Sequence, residues 1–145
     1  MNESELLSLH LLATLLMVGI IWFVQIVHYP LMVYVGREDF QRYSVHNQSR
    51  TSWVVAGPML LEALSATVLV GCFPSRMGSP KFLVSLVLLV AIWASTATLQ
   101  MPIHRALLNG FDERLIRRLV RSNWVRTAAW SLRGALVVSV WFSAR

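Results

Sequence analysis

Residues 6–29 read LLSLHLLATLLMVGIIWFVQIVHY, and this stretch decides the fold. A helix of that length rises far enough to cross the roughly 30 Å hydrocarbon core of a bilayer. Three further runs, 53–73, 82–101 and 124–142, share its apolar character. The chain is 56% hydrophobic and only 14% charged, a membrane-like composition rather than that of a soluble bundle. The expected architecture is all-α: an integral membrane four-helix bundle forming a single transmembrane domain over residues 1–145.

The first run does not read as a signal peptide. Its leading residues Met1-Asn2-Glu3-Ser4-Glu5 are acidic where a signal would be basic, and no small-x-small cleavage site follows, so it is expected to stay as a helix. The single Cys72 excludes an internal disulfide and, alone, a thiolate metal cage. The net charge of +6 is distributed by topology rather than as a nucleic-acid footprint. Arg37, Arg42, Arg50, Arg105, Arg114, Arg117, Arg118 and Arg121 flank one set of span ends, against Arg76, Lys81 and Arg145 on the other. The positive-inside rule then puts loops one and three in the cytoplasm and both termini outside. The basic surplus is expected to contact lipid.

The two halves, about 1–75 and 76–145, look like copies. Gln25-x-x-His-Tyr-Pro30 closes the first span and Gln100-x-Pro-x-His104 the third. Each is followed by a glycine and an acidic pair, Gly36-Arg-Glu-Asp and Gly110-Phe-Asp-Glu. Asn47-Gln-Ser-Arg-Thr recurs as Asn123-Trp-Val-Arg-Thr, offset by 76 residues, while the glutamines are offset by 75. Two fused hairpins of equal orientation imply a pseudo-twofold axis along the bilayer normal, with matching polar groups converging near it. The loop segments Arg37–Arg50 and Glu113–Arg121 read as short amphipathic helices near the headgroups.

Ionisable and polar groups at membrane depth are costly and tend to face a bundle interior. On the first span, His10, Thr14, Gln25 and His28 fall on one face by three-or-four spacing. His10 and His28 are roughly 27 Å apart by helical rise and cannot share an ion. Gln100 and His104 form a comparable face on the third span, and Asn123, Arg126, Trp130 and Arg133 on the fourth. Glu62 and Arg133 each lie about ten residues into their spans from the same side, so they should meet near the midplane as an ion pair. Such a pair is a fastening between repeats, or else a charged gate, a proton carrier, or a clamp on a buried anionic ligand.

His28 and His104, with His46 in the loop between spans one and two, present imidazoles on one side of the membrane. They suit a divalent metal, haem, or proton transfer, or alternatively bonding to backbone freed by Pro30 and Pro102. Arg126 with Asn123 suits a phosphate or carboxylate, or anchoring to lipid headgroups. No phosphate-binding loop or nucleophile elbow is present.

The pattern Ile-Trp-Phe-Val-Gln-x-x-His-Tyr-Pro30, Phe40-x-x-Tyr43-x-x-His46 and Trp53-Val-Val-x-x-Pro58-Met with Glu62 resembles a widespread group of bacterial four-helix membrane proteins with no assigned activity. Gln100-x-Pro-x-His104, Gly110-Phe-Asp and Asn123-Trp-x-Arg-Thr-x-x-Trp-x-x-Arg133 fit the same group. In outline the chain is similar to the anthrone-oxygenase-like membrane family, which implies oxidation of polycyclic phenols to quinones. A more distant likeness is to the haem-associated membrane oxidases of protoporphyrinogen, carried by His10 in the first helix, by Pro58-Met59 and by a basic stretch before the last helix. Here His-Tyr-Pro replaces that family's Tyr-His pair, and the helix count is lower. These resemblances imply a tetrapyrrole or quinone-like ligand, with His10 as a cofactor ligand.

The expected function is binding, with possible oxidation, of a hydrophobic aromatic or redox ligand in a polar, cytoplasm-facing cavity. His28, His104 and Glu62 would be the reacting groups, and Gln25, Gln100, Asn123, Arg126, Trp130 and Arg133 the ligand contacts. Two alternatives remain open. One is a small transporter or permease subunit with Glu62 as coupling carboxylate, for which four spans would favour a homo-oligomer. The other is a structural or assembly protein.

Overall fold

The computed structural model describes residues 2–144, apart from the side chains of Arg76 and Met77. Arg145 and the Arg76 side chain, counted above on the sparsely charged side, lie outside the described residues. Among the described residues there are no strands, and four long helices account for almost the whole chain. These are α1 (Glu3–Tyr34), α2 (Phe40–Cys72), α3 (Pro80–Leu107) and α4 (Glu113–Phe142). The first three are long and apolar enough to cross a membrane. Arg126 and Arg133 sit within the apolar stretch of α4 and lower its hydropathy, although both turn inward and are buried.

The helix starts follow from local chemistry. Asn2 caps α1 in a reciprocal box with Glu5, its Oδ1 accepting from the Glu5 N–H at 2.8 Å while the Glu5 carboxylate accepts from the Asn2 N–H at 2.9 Å. Pro80 occupies the first turn of α3, where no N–H is needed. Asp112 accepts from the N–H groups of Arg114 and Leu115 to start α4. Gly110, at φ 133°, turns the chain between α3 and α4 in a conformation that a side chain would resist.

Spans one and three were expected to end near residues 29 and 101, just before Pro30 and Pro102, and the helices instead continue through the prolines. A proline clashes with the carbonyl four residues back and supplies no N–H. Each is preceded by a π-helical turn, Val24–His28 and Thr96–Gln100, which widens the helix before the proline ring. The residue before each proline bonds five residues back, Tyr29 N–H to Val24 and Met101 N–H to Thr96. Gln25 is the second residue of its π turn and Gln100 the last of its own, so the glutamines do not hold equivalent places.

The separate amphipathic loop helices do not exist as such. The segments Arg37–Arg50 and Glu113–Arg121 are largely absorbed into α2 and α4, of 33 and 30 residues. No helix breaker lies between Phe40 and Trp53, and the polar residues there bond within the helix, Ser52 to the Gln48 carbonyl and Thr51 to the Asn47 side chain. At 1.5 Å per residue α2 is about 50 Å long, so it exceeds the hydrocarbon thickness and stands proud of it.

The helices are arranged in the order α2, α1, α4, α3. α1 packs against both α2 and α4, and α3 packs along α4. Gly134 lets α4 approach α1 closely, since a Cβ there would lie 3.0 Å from a Val18 methyl. α2 and α3 pack sparsely on each other, chiefly at the arginine-rich end, where Gln48 Nε2 donates to the His104 carbonyl at 2.8 Å. Three apolar clusters stack along the bundle: Leu6, Leu7, Leu69, Phe82 and Val140 at the termini; Met17, Ile21, Met59, Ile92 and Trp130 in the middle; and Val24, Tyr29, Met32, Phe40, Ile103, Leu107, Ile116 and Leu119 at the arginine-rich end.

Candidate functional site

The sparse packing of α2 on α3 leaves a cavity of about 460 Å³ between them, with α1 and α4 behind it. Its inner wall and floor are apolar, from Met17, Ile20, Ile21 and Val24 on α1, Val55 and Met59 on α2, and Trp93 on α3. Toward the arginine-rich end it becomes polar, with His28, Tyr29, Asn47, Gln48, Gln100, His104, Arg105 and Arg126. A few polar groups converging at one end of an apolar pocket of this size are the usual make-up of a small-molecule site.

The π turns aim these side chains. Tyr29 is buried, and its hydroxyl lies 2.9 Å from His104 Nε2, linking α1 to α3. The two rings meet edge to face at 5.5 Å, and the His28 ring lies 5.6 Å from that of Tyr29. The Arg126 guanidinium acts electrostatically on the same phenol. Tyr29 can donate its hydroxyl proton to His104 Nε2, and in that tautomer His104 carries its ring proton on Nδ1, which is buried without a partner. His28 Nε2 and Arg126 Nε are likewise buried and unpartnered.

Below the floor lies a second polar assembly with no exposure at Glu62, Arg133 or His10. Glu62 and Arg133 pair at 2.9 Å, as their equal depth on α2 and α4 suggested. Trp130 Nε1 donates to the second Glu62 oxygen at 3.2 Å. Arg133 also donates to the carbonyl and hydroxyl of Ser85 on α3 and to His10 Nε2 on α1 at 3.0 Å. Because Arg133 donates there, His10 is protonated on Nδ1, which donates to Ser65 Oγ at 2.7 Å, and Ser65 donates to the Glu62 carbonyl at 3.1 Å. All four helices are thus tied at one level.

The residues singled out from sequence separate into distinct places. His28, Gln100, His104 and Arg126 line the cavity. Gln25 and Asn123 do not line it. They bond to each other at 2.9 Å and fasten α1 to α4, with Gln25 also donating to the Val120 carbonyl. Gln100 accepts from Ser95 and donates to Ser122 at its edge. His10, Glu62, Trp130 and Arg133 form the buried assembly, and Trp130 also shapes the floor beneath Arg126, whose guanidinium lies 5.0 Å from its ring. His46 is exposed on α2.

Among the described residues no three His, Cys, Asp or Glu side chains gather as a metal site, so His28, His46 and His104 do not assemble as a ligand set. The cavity offers two imidazoles and no carboxylate, fewer ligands than a zinc site uses. His10 has both nitrogens engaged, by Arg133 and Ser65, and offers no lone pair to a haem iron. Tyr29, Ser65, Ser85 and Gln48 carry roles that the pattern alone does not announce. Their only signals are the His-Tyr-Pro adjacency and a serine one helical turn after Glu62.

Comparison of the chain with protein-family models, curated proteins and solved structures returns no match, so its function has to be read from this cavity and its neighbours.

Proposed function

We propose that this is a four-span protein of the bacterial inner membrane, made of two duplicated hairpins, that binds a hydrophobic aromatic ligand in the cavity between α2 and α3. The arginine-rich end faces the cytoplasm in this reading, and both termini face the periplasm. One observation carries the binding reading. Five buried side-chain polar atoms lack a partner among the described residues, and three of them, His28 Nε2, His104 Nδ1 and Arg126 Nε, belong to the polar end of this one cavity. Unsatisfied buried groups cost free energy and call for a reason, and a ligand oxygen supplies one. The apolar walls suit a flat hydrophobic body, and His28, His104 and Arg126 are placed to bond its polar group.

Glu62 does not suit the role of a coupling carboxylate in a transporter. Both its oxygens are bonded, to Arg133 and Trp130, and the cluster of Met17, Ile21, Met59, Ile92 and Trp130 lies between it and the cavity.

Calorimetric titration of the detergent-purified protein with 2-naphthol tests the proposal. The expected result is one saturable site, weakened in Met59→Trp, which fills the floor, and in His28→Phe. Titrations indistinguishable from a detergent blank would overturn it.

A further inference from the structure

Two arginines are buried among the described residues, and they are treated differently. Arg133 has Glu62 at 2.9 Å. Arg126, two turns earlier on α4, is 6% exposed and has no carboxylate partner among the described residues. Its contacts are neutral: the Asn123 side-chain oxygen at 3.2 Å, the Tyr29 phenol, and the Trp130 ring. Its Nε is buried without a partner. An uncompensated guanidinium at this depth is costly, and a counter-charge relieves the cost.

The rest of the polar end agrees in sign. No acidic residue lines the cavity, and Arg105 stands beside His104 at its edge. With Tyr29 donating to His104 Nε2, the free His104 atom is an N–H donor. The cavity therefore presents two unpartnered donors, Arg126 Nε–H and His104 Nδ1–H. That is a receptor for an oxyanion rather than for a hydroxyl proton.

We infer that the ligand of this cavity is a carboxylate amphiphile: an apolar, ring-sized body against Met17, Met59 and Trp93, and a single carboxylate between Arg126 and His104. This rests on the cavity being a ligand site, as proposed above. A phospholipid headgroup fits less well. Arg126 lies more than a turn deeper than the band of Arg114, Arg117, Arg118 and Arg121, so a diacyl lipid would have to draw its headgroup into the hydrocarbon level.

Titration with 2-naphthoate and with neutral 2-naphthamide tests the inference on the unaltered protein. The carboxylate is expected to bind more than about tenfold tighter, the scale of one charge-assisted hydrogen bond. Arg126→Gln should abolish that preference. Arg126→Lys, which keeps the charge without the fork, should retain part of it. Equal affinity for the two probes overturns the inference while leaving the cavity reading intact, and binding of neither probe overturns both. Displacement of naphthoate by phosphatidylglycerol, but not by phosphatidylcholine, at equimolar lipid would identify a headgroup phosphate as the anion and also overturn it.

Discussion

Arg133 reaches Glu62 at 2.9 Å with neither side chain exposed, and the same guanidinium touches α1 through His10 and α3 through Ser85. One side chain of α4 thereby holds the other three helices. Removing one member leaves a buried charge without its counter-charge, which costs about 3–5 kcal/mol where it has been measured. Glu62→Gln and Arg133→Met are each expected to lower the thermal midpoint in detergent strongly, and the double variant to recover most of the loss. Additive losses in the double variant would show that the two residues act independently.

Tyr29→Phe removes the proton donor to His104 Nε2 and the acceptor beside Arg126 while leaving the ring packing in place. A buried group left unsatisfied costs about 1–3 kcal/mol. The variant should be measurably less stable than Tyr34→Phe, since Tyr34 is 82% exposed. Paired thermal melts decide it, and equal midpoints would remove Tyr29 from the site.

Gly134→Ala places a methyl 3.0 Å from a Val18 methyl across the α1–α4 seam. Val18 is β-branched on a helix and has little rotamer freedom with which to yield. Overpacking of this kind costs about 1–3 kcal/mol. Combining it with Val18→Ala should restore the lost stability, whereas no rescue would place the strain elsewhere.

Haem ligation through His10 is expected to fail, because Arg133 and Ser65 occupy both ring nitrogens. An absorption spectrum of the purified protein, oxidised and then dithionite-reduced, checks this. A Soret band abolished by His10→Ala would refute the hydrogen-bond assignment at His10.

The long helices were legible because hydrophobic length is a local property of the chain. The Glu62–Arg133 pair was legible because depth can be counted from a shared membrane face. Neighbour relations were not. Nothing in hydropathy tells that α2 and α3 pack sparsely, and that leaves the cavity between them. The loop segments looked separate because their composition changes at Trp53 and Trp124, whereas backbone hydrogen bonding runs on wherever no breaker intervenes. The spans were bounded just before Pro30 and Pro102, whereas the π turns ahead of each proline let the helix run on. Those turns are invisible to a period of 3.6 residues, and they place the two glutamines differently against α4. Both dock on that helix, Gln25 through Asn123 and Gln100 through Ser122.

The apolar floor of Met17, Ile21, Met59, Ile92 and Trp130 has an electrical consequence. Beneath it Glu62 and Arg133 match each other's charge, and Leu6, Leu7, Leu69, Phe82 and Val140 close the bundle again at the terminal end. A chamber floored by apolar side chains can load and unload without leaking ions. Vesicles carrying this protein should hold a membrane potential as long as empty ones do, whatever occupies the chamber.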